Sequence, residues 1–164
     1  MSQKKILIVG SQGYLGSRLT DFLTEKGYLC TGADIGFFRN GVLYEPRSVP
    51  VINKEARTLK EKDIENFDVL ILFAGISNDP FGNLSTEVIY DPTRAYALSI
   101  ANMCKKLGIR FVFPSSCSVY GIADGMLNEL GPTNPKTSYS LNKLQIEQDL
   151  AQISDNDFSP IALR

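Results

Sequence analysis

Ile6-Leu7-Ile8-Val9-Gly10-Ser11-Gln12-Gly13-Tyr14-Leu15-Gly16 decides how this chain is read. An apolar β-run breaks into glycines at the spacing G-x-x-G-x-x-G. A helical pattern follows, with Leu15, Leu19, Phe22 and Leu23 on one face. Gly10 makes the tight turn off the strand, Gly13 lets the backbone approach a pyrophosphate, and Gly16 lets the helix pack close to the sheet. Tyr14 and Leu15, between the last two glycines, belong to the same cofactor-facing loop. The helix N-terminus offers unpaired N–H groups and a positive dipole end to the phosphates. Asp34 ends the next apolar segment, Tyr28 to Ala33, where an acid would bind a ribose 2′-hydroxyl. The stretch therefore predicts a dinucleotide-binding strand–turn–helix.

Composition bounds the rest. A chain of 164 residues suits one domain, and 43% hydrophobic content suffices for one core. The net charge is −1, from 17 basic and 18 acidic residues, and no basic stripe argues for nucleic acid. No apolar run reaches membrane-spanning length and no polybasic tail argues for a membrane surface. Met1 to Lys5 leads directly into a strand, which leaves no room for a signal peptide. The three cysteines, Cys30, Cys104 and Cys117, lie far apart and form no C-x-x-C pair, so a reducing cytoplasm is expected. Cys30 and Cys104 read as core and Cys117 as a packed thiol. Histidine is absent, which excludes His-dependent triads and histidine metal sites; no metal is expected. Proton chemistry falls to Tyr, Lys, Asp, Glu, Ser or Cys.

Strands and helices alternate along the chain, as in a parallel α/β sheet. Lys4 to Val9 reads as the first strand, Tyr14 to Lys26 as a helix and Tyr28 to Ala33 as the second strand. Ile35 to Pro50 is irregular, and a short third strand falls near Val51 to Thr58. Leu59 to Asn66 is a short polar helix whose run Lys60 to Asp63 reads as a solvated face. Asp68 to Gly75 is apolar throughout, a strand buried on both faces. Thr86 to Leu107 is mostly helical, kinked or restarted at Asp91-Pro92. Ile109 to Pro114 is strand five, Ser138 to Ile153 a helix with Ile146, Leu150 and Ile153 inward, and Ser159 to Arg164 begins a sixth strand. Asn78-Asp79, with Pro80, either faces a substrate or makes a turn.

Tyr139-Ser140-Leu141-Asn142-Lys143 carries the second signal. Positions i and i+4 share a helix face, so Tyr139 and Lys143 point into one cleft. A nearby ammonium favours the phenolate and lowers the pKa of a phenol that is otherwise a poor acid–base. Ser115-Ser116-Cys117-Ser118-Val119-Tyr120-Gly121 follows strand five, at the sheet edge where α/β ligands bind. A hydroxyl there can hold the substrate oxygen that Tyr139 protonates.

Taken together, Gly10/Gly13/Gly16, Asp34, Phe73-Ala74-Gly75, Ser116-x-x-Val119-Tyr120-Gly121 and Tyr139/Lys143 resemble one known group. The chain is similar to an extended short-chain dehydrogenase/reductase of the NAD-dependent epimerase/dehydratase family, which acts on nucleotide sugars. Glu129 and Pro135 match the family's E…P…P spacer. The resemblance implies a Rossmann-type, doubly wound parallel sheet in a single domain over residues 1–164, with NAD as cofactor and a nucleotide sugar as substrate. It makes Tyr139 the general acid/base, Lys143 its tuner and holder of the nicotinamide ribose, and Ser116 the group on the reacting oxygen. Asp34 would bind the adenosine ribose, and Ile35, Phe37 or Phe38 would flank the adenine. Phe73, Ala74 and Gly75 would line the middle of the cofactor. Glu55 and Ala56 stand where the family reads the adenine edge, with Glu for the usual Asp and Asp63 as a competitor.

The chain also departs from the family. Thr93 replaces an Asn that supports the active-site lysine. Cys117-Ser118 replaces the acidic pair of sugar 4,6-dehydratases, which disfavours dehydration. Some sugar 3,5-epimerases use a cysteine one position later than Cys117, at Ser118 here. Family members continue well beyond Arg164, so a fragment lacking the C-terminal substrate lobe is expected, with a possible homodimer through its open sheet edge. The function expected is a nucleotide-sugar epimerase or ketoreductase. The alternative is a catalytically silent NAD(P)-binding module in this truncated form.

Overall fold

The computed structural model describes residues 3–41, 44–77, 85–122 and 125–164. Asn78, Asp79 and Pro80 lie outside the described residues. Lys5–Val9 forms β1 in a six-stranded parallel sheet. The strands run in the order β3 (Val51–Asn53), β2 (Leu29–Asp34), β1, β4 (Val69–Leu72), β5 (Arg110–Pro114), β6 (Ile161–Leu163). Every neighbouring pair is parallel. The chain winds outward from β1 to β3, then crosses back to β4. That reversal opens a crevice at the carboxyl ends of β1 and β4, the place where doubly wound sheets bind ligands.

Alternation along β1 divides the core in two. Leu7 and Val9 join Leu70, Leu72, Phe111 and Phe113 under the helices α3 (Asp91–Leu107) and α4 (Ser138–Ile153). Ile6 and Ile8 join Cys30 and Ile71 under α1 (Tyr14–Glu25). The face that α1 buries differs from the one expected. Gly16, Ser17 and Thr20 are buried and Leu19 and Leu23 pack on the core, while Leu15 and Phe22 are turned to solvent. Where Gly16 brings the helix closest to the sheet, the buried positions are the small residues Ser17 and Thr20.

Local hydrogen bonds set the element ends. β4 stops at Leu72, short of the expected Gly75, because the N–H groups of Phe73 and Ala74 both donate to Val9 O at 2.8 and 2.9 Å. β3 stops at Asn53, since Ala56–Thr58 closes a 3-10 turn. The polar helix shrinks to the single turn α2 (Glu61–Ile64). Its charges are not merely solvated: Asp63 pairs with Lys54 at 2.6 Å and Glu61 with Lys106 of α3 at 2.8 Å. The expected restart at Pro92 takes the form of a π turn, Thr86–Tyr90, that runs into α3 with Pro92 in its first turn, where the missing N–H costs no hydrogen bond. α4 starts on a capping box, with Ser140 N donating to Thr137 Oγ1 and Thr137 N to Ser140 Oγ. Arg94 reaches across from α3 and donates to both oxygens of Asp149 on α4, at 2.5 and 2.8 Å.

Candidate active site

The glycine loop is built by close approach. Gly10 has φ of +87°, and a Cβ there would sit 2.5 Å from Ala74 N. A Cβ on Gly16 would fall inside the van der Waals radius of the Gly10 carbonyl oxygen. Gly13 is different: its nearest neighbour is Gly10 O at 3.5 Å, so its Cβ side is open. It is also the N-cap of α1, with no side-chain cap and no acidic residue in the first turn. The positive end of α1 is thus left to an outside anion. Tyr14 and Leu15 are exposed at 78% and 57% on this turn. Phe73 and Ala74, half-buried, and exposed Gly75 lie across the crevice, where Tyr96 donates its hydroxyl proton to Ala74 O at 2.9 Å.

Asp34 stands at the end of β2. Gln12 N donates to its Oδ2 and Gly36 N to its Oδ1, both at 2.9 Å. Each oxygen keeps a lone pair for a further donor. A cavity of about 950 Å³ opens beside this carboxylate, lined by Ser11, Gln12, Ile35, Gly36 and Arg39 among others. Of the apolar residues expected near an adenine, Ile35 lines it. Phe37 and Phe38 are 80% and 60% exposed and pack edge-on against each other, away from the cavity lining. Ser11 Oγ is buried without a partner, the one such side-chain atom among the described residues. Glu55 is ion-paired with Arg57, and the Ala56 methyl lies in the core, so Ala56 offers a ligand its backbone alone. Asp63 is committed to Lys54 and to the α2 cap, where Lys60 N donates to it.

The second half of the site lies past β5. Ser116 caps the 3-10 turn Cys117–Tyr120, and its Oγ accepts from Ser118 N and Ser118 Oγ at 3.2 and 2.9 Å. Two acceptances on one hydroxyl oxygen leave its own proton to donate outward. The Ser116 side chain hydrogen-bonds Tyr139. Val119 points into the core and Cys117 points out; the thiol is exposed and faces Tyr139 rather than being packed away as expected. Lys143 Nζ donates to Pro114 O at 2.8 Å and lies 4.4 Å from the Phe113 ring centroid and 5.6 Å from that of Tyr139. Tyr139, Lys143 and Ser116 therefore converge, as expected.

Their electrostatics differ from the expectation. Burial pushes the Tyr139 phenol above its usual value, and the Ser116 hydrogen bond opposes this only in part. Burial also lowers Lys143, to about 8, against the opposing charge of Glu147. The lysine is engaged by a carbonyl instead of holding the phenol down. Thr93 donates to Ile89 O at 3.1 Å, and Asn142, buried next to Lys143 in sequence, donates to Tyr90 O at 2.8 Å. Tyr90 in turn packs edge-on to Tyr139, with ring centroids 6.4 Å apart. Asn142, Tyr90 and Glu147 were not read from the sequence. Glu147 could have been, since it repeats the i, i+4 step from Lys143 along the same helix face.

The residues present fit a dinucleotide: an open Gly13, an uncapped helix terminus, a carboxylate with free lone pairs and an unpartnered buried hydroxyl lie along one crevice. Among the described residues no helix is long and apolar enough to cross a membrane, and no cluster of acidic or cysteine residues could hold a metal ion. Curated relatives include a UDP-glucose 4-epimerase of Azospirillum brasilense, 28% identical over 153 residues, or 89% of this chain and 43% of that protein. A UDP-glucose 4-epimerase of Streptococcus mutans is 26% identical, over 87% of this chain and 45% of its own length. The chain thus spans less than half the length of these relatives. Among solved structures, UDP-glucose 4-epimerase from Brucella ovis in complex with NAD superposes with a TM-score of 0.85 at 22% identity, over 98% of this chain and 51% of that one. At that identity the likeness establishes the fold. The decisive match is to a family description, "NAD dependent epimerase/dehydratase family", over residues 6–164. The chain belongs to that family.

Proposed function

We propose that this chain is the cofactor-binding and catalytic half of an NAD-dependent nucleotide-sugar epimerase or ketoreductase. The observation that carries the reading is the convergence of Ser116, Tyr139 and Lys143 at the carboxyl end of β5, two strands over from β1, whose glycine loop lies at the topological switch point. The site residues are Gly10, Gly13, Tyr14, Leu15 and Gly16 on the phosphates, Asp34 on the adenosine ribose, Ile35, Glu55 and Ala56 around the adenine, and Phe73, Ala74 and Gly75 along the middle. NAD, when bound, supplies the hydride acceptor.

The chain's own residues handle the proton. Ser116 turns its hydroxyl proton from Tyr139 to the reacting sugar oxygen and orients it. Tyr139 first gives up its own proton to solvent as Lys143 comes over; the phenolate then takes the proton from the sugar hydroxyl as the carbinol is oxidised, and returns it when the carbonyl is reduced. Lys143, moved from Pro114 O to the phenol or the ribose, stabilises the phenolate that forms. A raised phenol pKa before ligand arrives keeps Tyr139 protonated and makes that lysine movement the activating step. The relatives named UDP-glucose 4-epimerase support a uridine-diphosphate sugar as substrate.

The test is interconversion of UDP-glucose and UDP-galactose by the protein that carries this chain, with NADH appearance followed in parallel. Interconversion with no net change in NADH identifies an epimerase; NADH consumed in step with an added 4-keto sugar nucleotide identifies a ketoreductase. Tyr139→Phe is expected to slow either by at least about 10²-fold. Unchanged turnover in a folded Tyr139→Phe protein would remove Tyr139 from the chemistry.

A further inference from the structure

We infer that Glu147 and Arg164 form a positioning pair that fixes the Ser115–Ser116 turn against the Tyr139–Lys143 helix. The inference rests on the catalytic reading above and extends it to residues that touch neither cofactor nor substrate in that reading.

One guanidinium joins several pieces of the cleft wall. Arg164, following β6, donates from Nε and Nη2 to both oxygens of Glu147 on α4, at 3.2, 3.0 and 2.6 Å. Its Nη1 donates to Tyr120 Oη at 3.3 Å and to Glu129 O at 3.1 Å, and the group lies 5.1 Å from the Tyr120 ring centroid. Glu147 also accepts the hydroxyl proton of Ser115. The pair is poorly exposed, with side chains at 21% for Arg164 and 10% for Glu147. A charge pair that is only partly exposed at its side chains and forked in geometry orients its neighbours. Through it the helix carrying Lys143, the loop carrying Ser116, the turn ending in Tyr120 and the segment carrying Glu129 share one anchor.

The placement along α4 gives the pair an electrical consequence. Glu147 is one helical turn beyond Lys143 and is the charged group that acts on its ammonium. Tyr139 stands on the same helix; Tyr90 from the start of α3 and Cys117 from the 3-10 turn act on Tyr139. Arg164 is the cation that faces Glu147 from β6. Removing the carboxylate charge withdraws the attraction that favours the Lys143 ammonium against its burial.

The experiment follows Lys143 by NMR in the full chain made with isotope-labelled lysine, titrated through the alkaline range without added cofactor. In Glu147→Gln the Lys143 midpoint is expected to fall below the wild-type value of about 8, and Glu147→Asp is expected to bring it back. A folded Glu147→Gln chain with an unmoved midpoint would overturn the inference. If Glu147→Gln does not fold, Arg164→Lys serves. It keeps the charge but drops the fork, and amide exchange at Val119 and Gly121 is expected to quicken by about tenfold while β1 and β4 stay protected. Uniform or unchanged exchange would overturn the inference. Neither readout involves turnover, so failure here is distinct from failure of the Tyr139→Phe test.

Discussion

The β1–α1 side and the β5–α4 side of the crevice are built on opposite principles. On the first side, function depends on what is missing. Gly10 and Gly16 touch backbone where any Cβ would clash, Gly13 leaves open space, and α1 has no cap. On the second side, function depends on side chains crowded together: Ser116, Tyr139, Lys143, Glu147 and Arg164 are mutually hydrogen-bonded or charged across β5, α4 and β6. The shape of the β1–α1 side is therefore set by backbone contacts. The β5–α4 side is held by a lysine and a carboxylate whose charges act on each other.

The largest effect that separates the two sides is expected from Gly16→Ala. The added methyl would press on the Gly10 carbonyl, and backbone must move. A loss of about 3 kcal/mol is expected in denaturant unfolding. Next comes the pH dependence contributed by Lys143. Below pH 8 the lysine is charged in both states and its burial opposes folding. Between about 8 and its ordinary 10.5 the folded state gives up the proton first, so the unfolded state binds more protons and stability rises with pH. Lys143→Met is expected to remove that rise, about 3 kcal/mol across the window, in thermal melts at stepped pH. A wild-type curve that falls through this window would contradict the buried-lysine account.

Asp149→Asn tests the joint between α3 and α4. Arg94 holds the Asp149 carboxyl below its usual range. Its contribution is present above the ordinary carboxylate pKa and is lost as pH falls through the depressed one. Because Arg94 is 40% exposed, a cost of only about 1 kcal/mol near neutral pH is expected, vanishing in acid. Gly13→Ala sits at the other extreme. Its φ is −77° and its Cβ side is open, so a stability change within about 0.5 kcal/mol is expected. The same methyl would occupy the space facing a pyrophosphate, so NAD affinity is expected to fall by at least about tenfold. Gly16→Ala breaking the fold while Gly13→Ala breaks only binding would sharpen the contrast.

The two sides were also unequally legible. The glycine spacing and Asp34 gave the switch-point architecture at once, because a backbone that needs glycine can hardly be written otherwise. Leu15 and Phe22 misled, since helical periodicity reports an apolar face but not how close Gly16 brings the helix to the sheet. Strand ends at Leu72 and Asn53 were invisible because they depend on where Phe73 and Ala74 send their N–H groups. Ser116, Tyr139 and Lys143 were readable from spacing, yet their pKa directions were not: the phenol rises because of burial, which a sequence does not display. Glu147 and Arg164 meet only once β6 pairs with β5, a contact set by the sheet and not by spacing.

The most direct test of the account is a calorimetric titration of the 164-residue chain with NAD and, in parallel, NADP. The account expects NAD to bind more tightly, because the Asp34 carboxylate, fixed by Gln12 and Gly36, accepts a ribose 2′-hydroxyl and repels a 2′-phosphate. Asp34→Ala should narrow the gap between the two, with Arg39 left beside the cavity. Tighter binding of NADP, or no NAD binding by the folded chain, would contradict it.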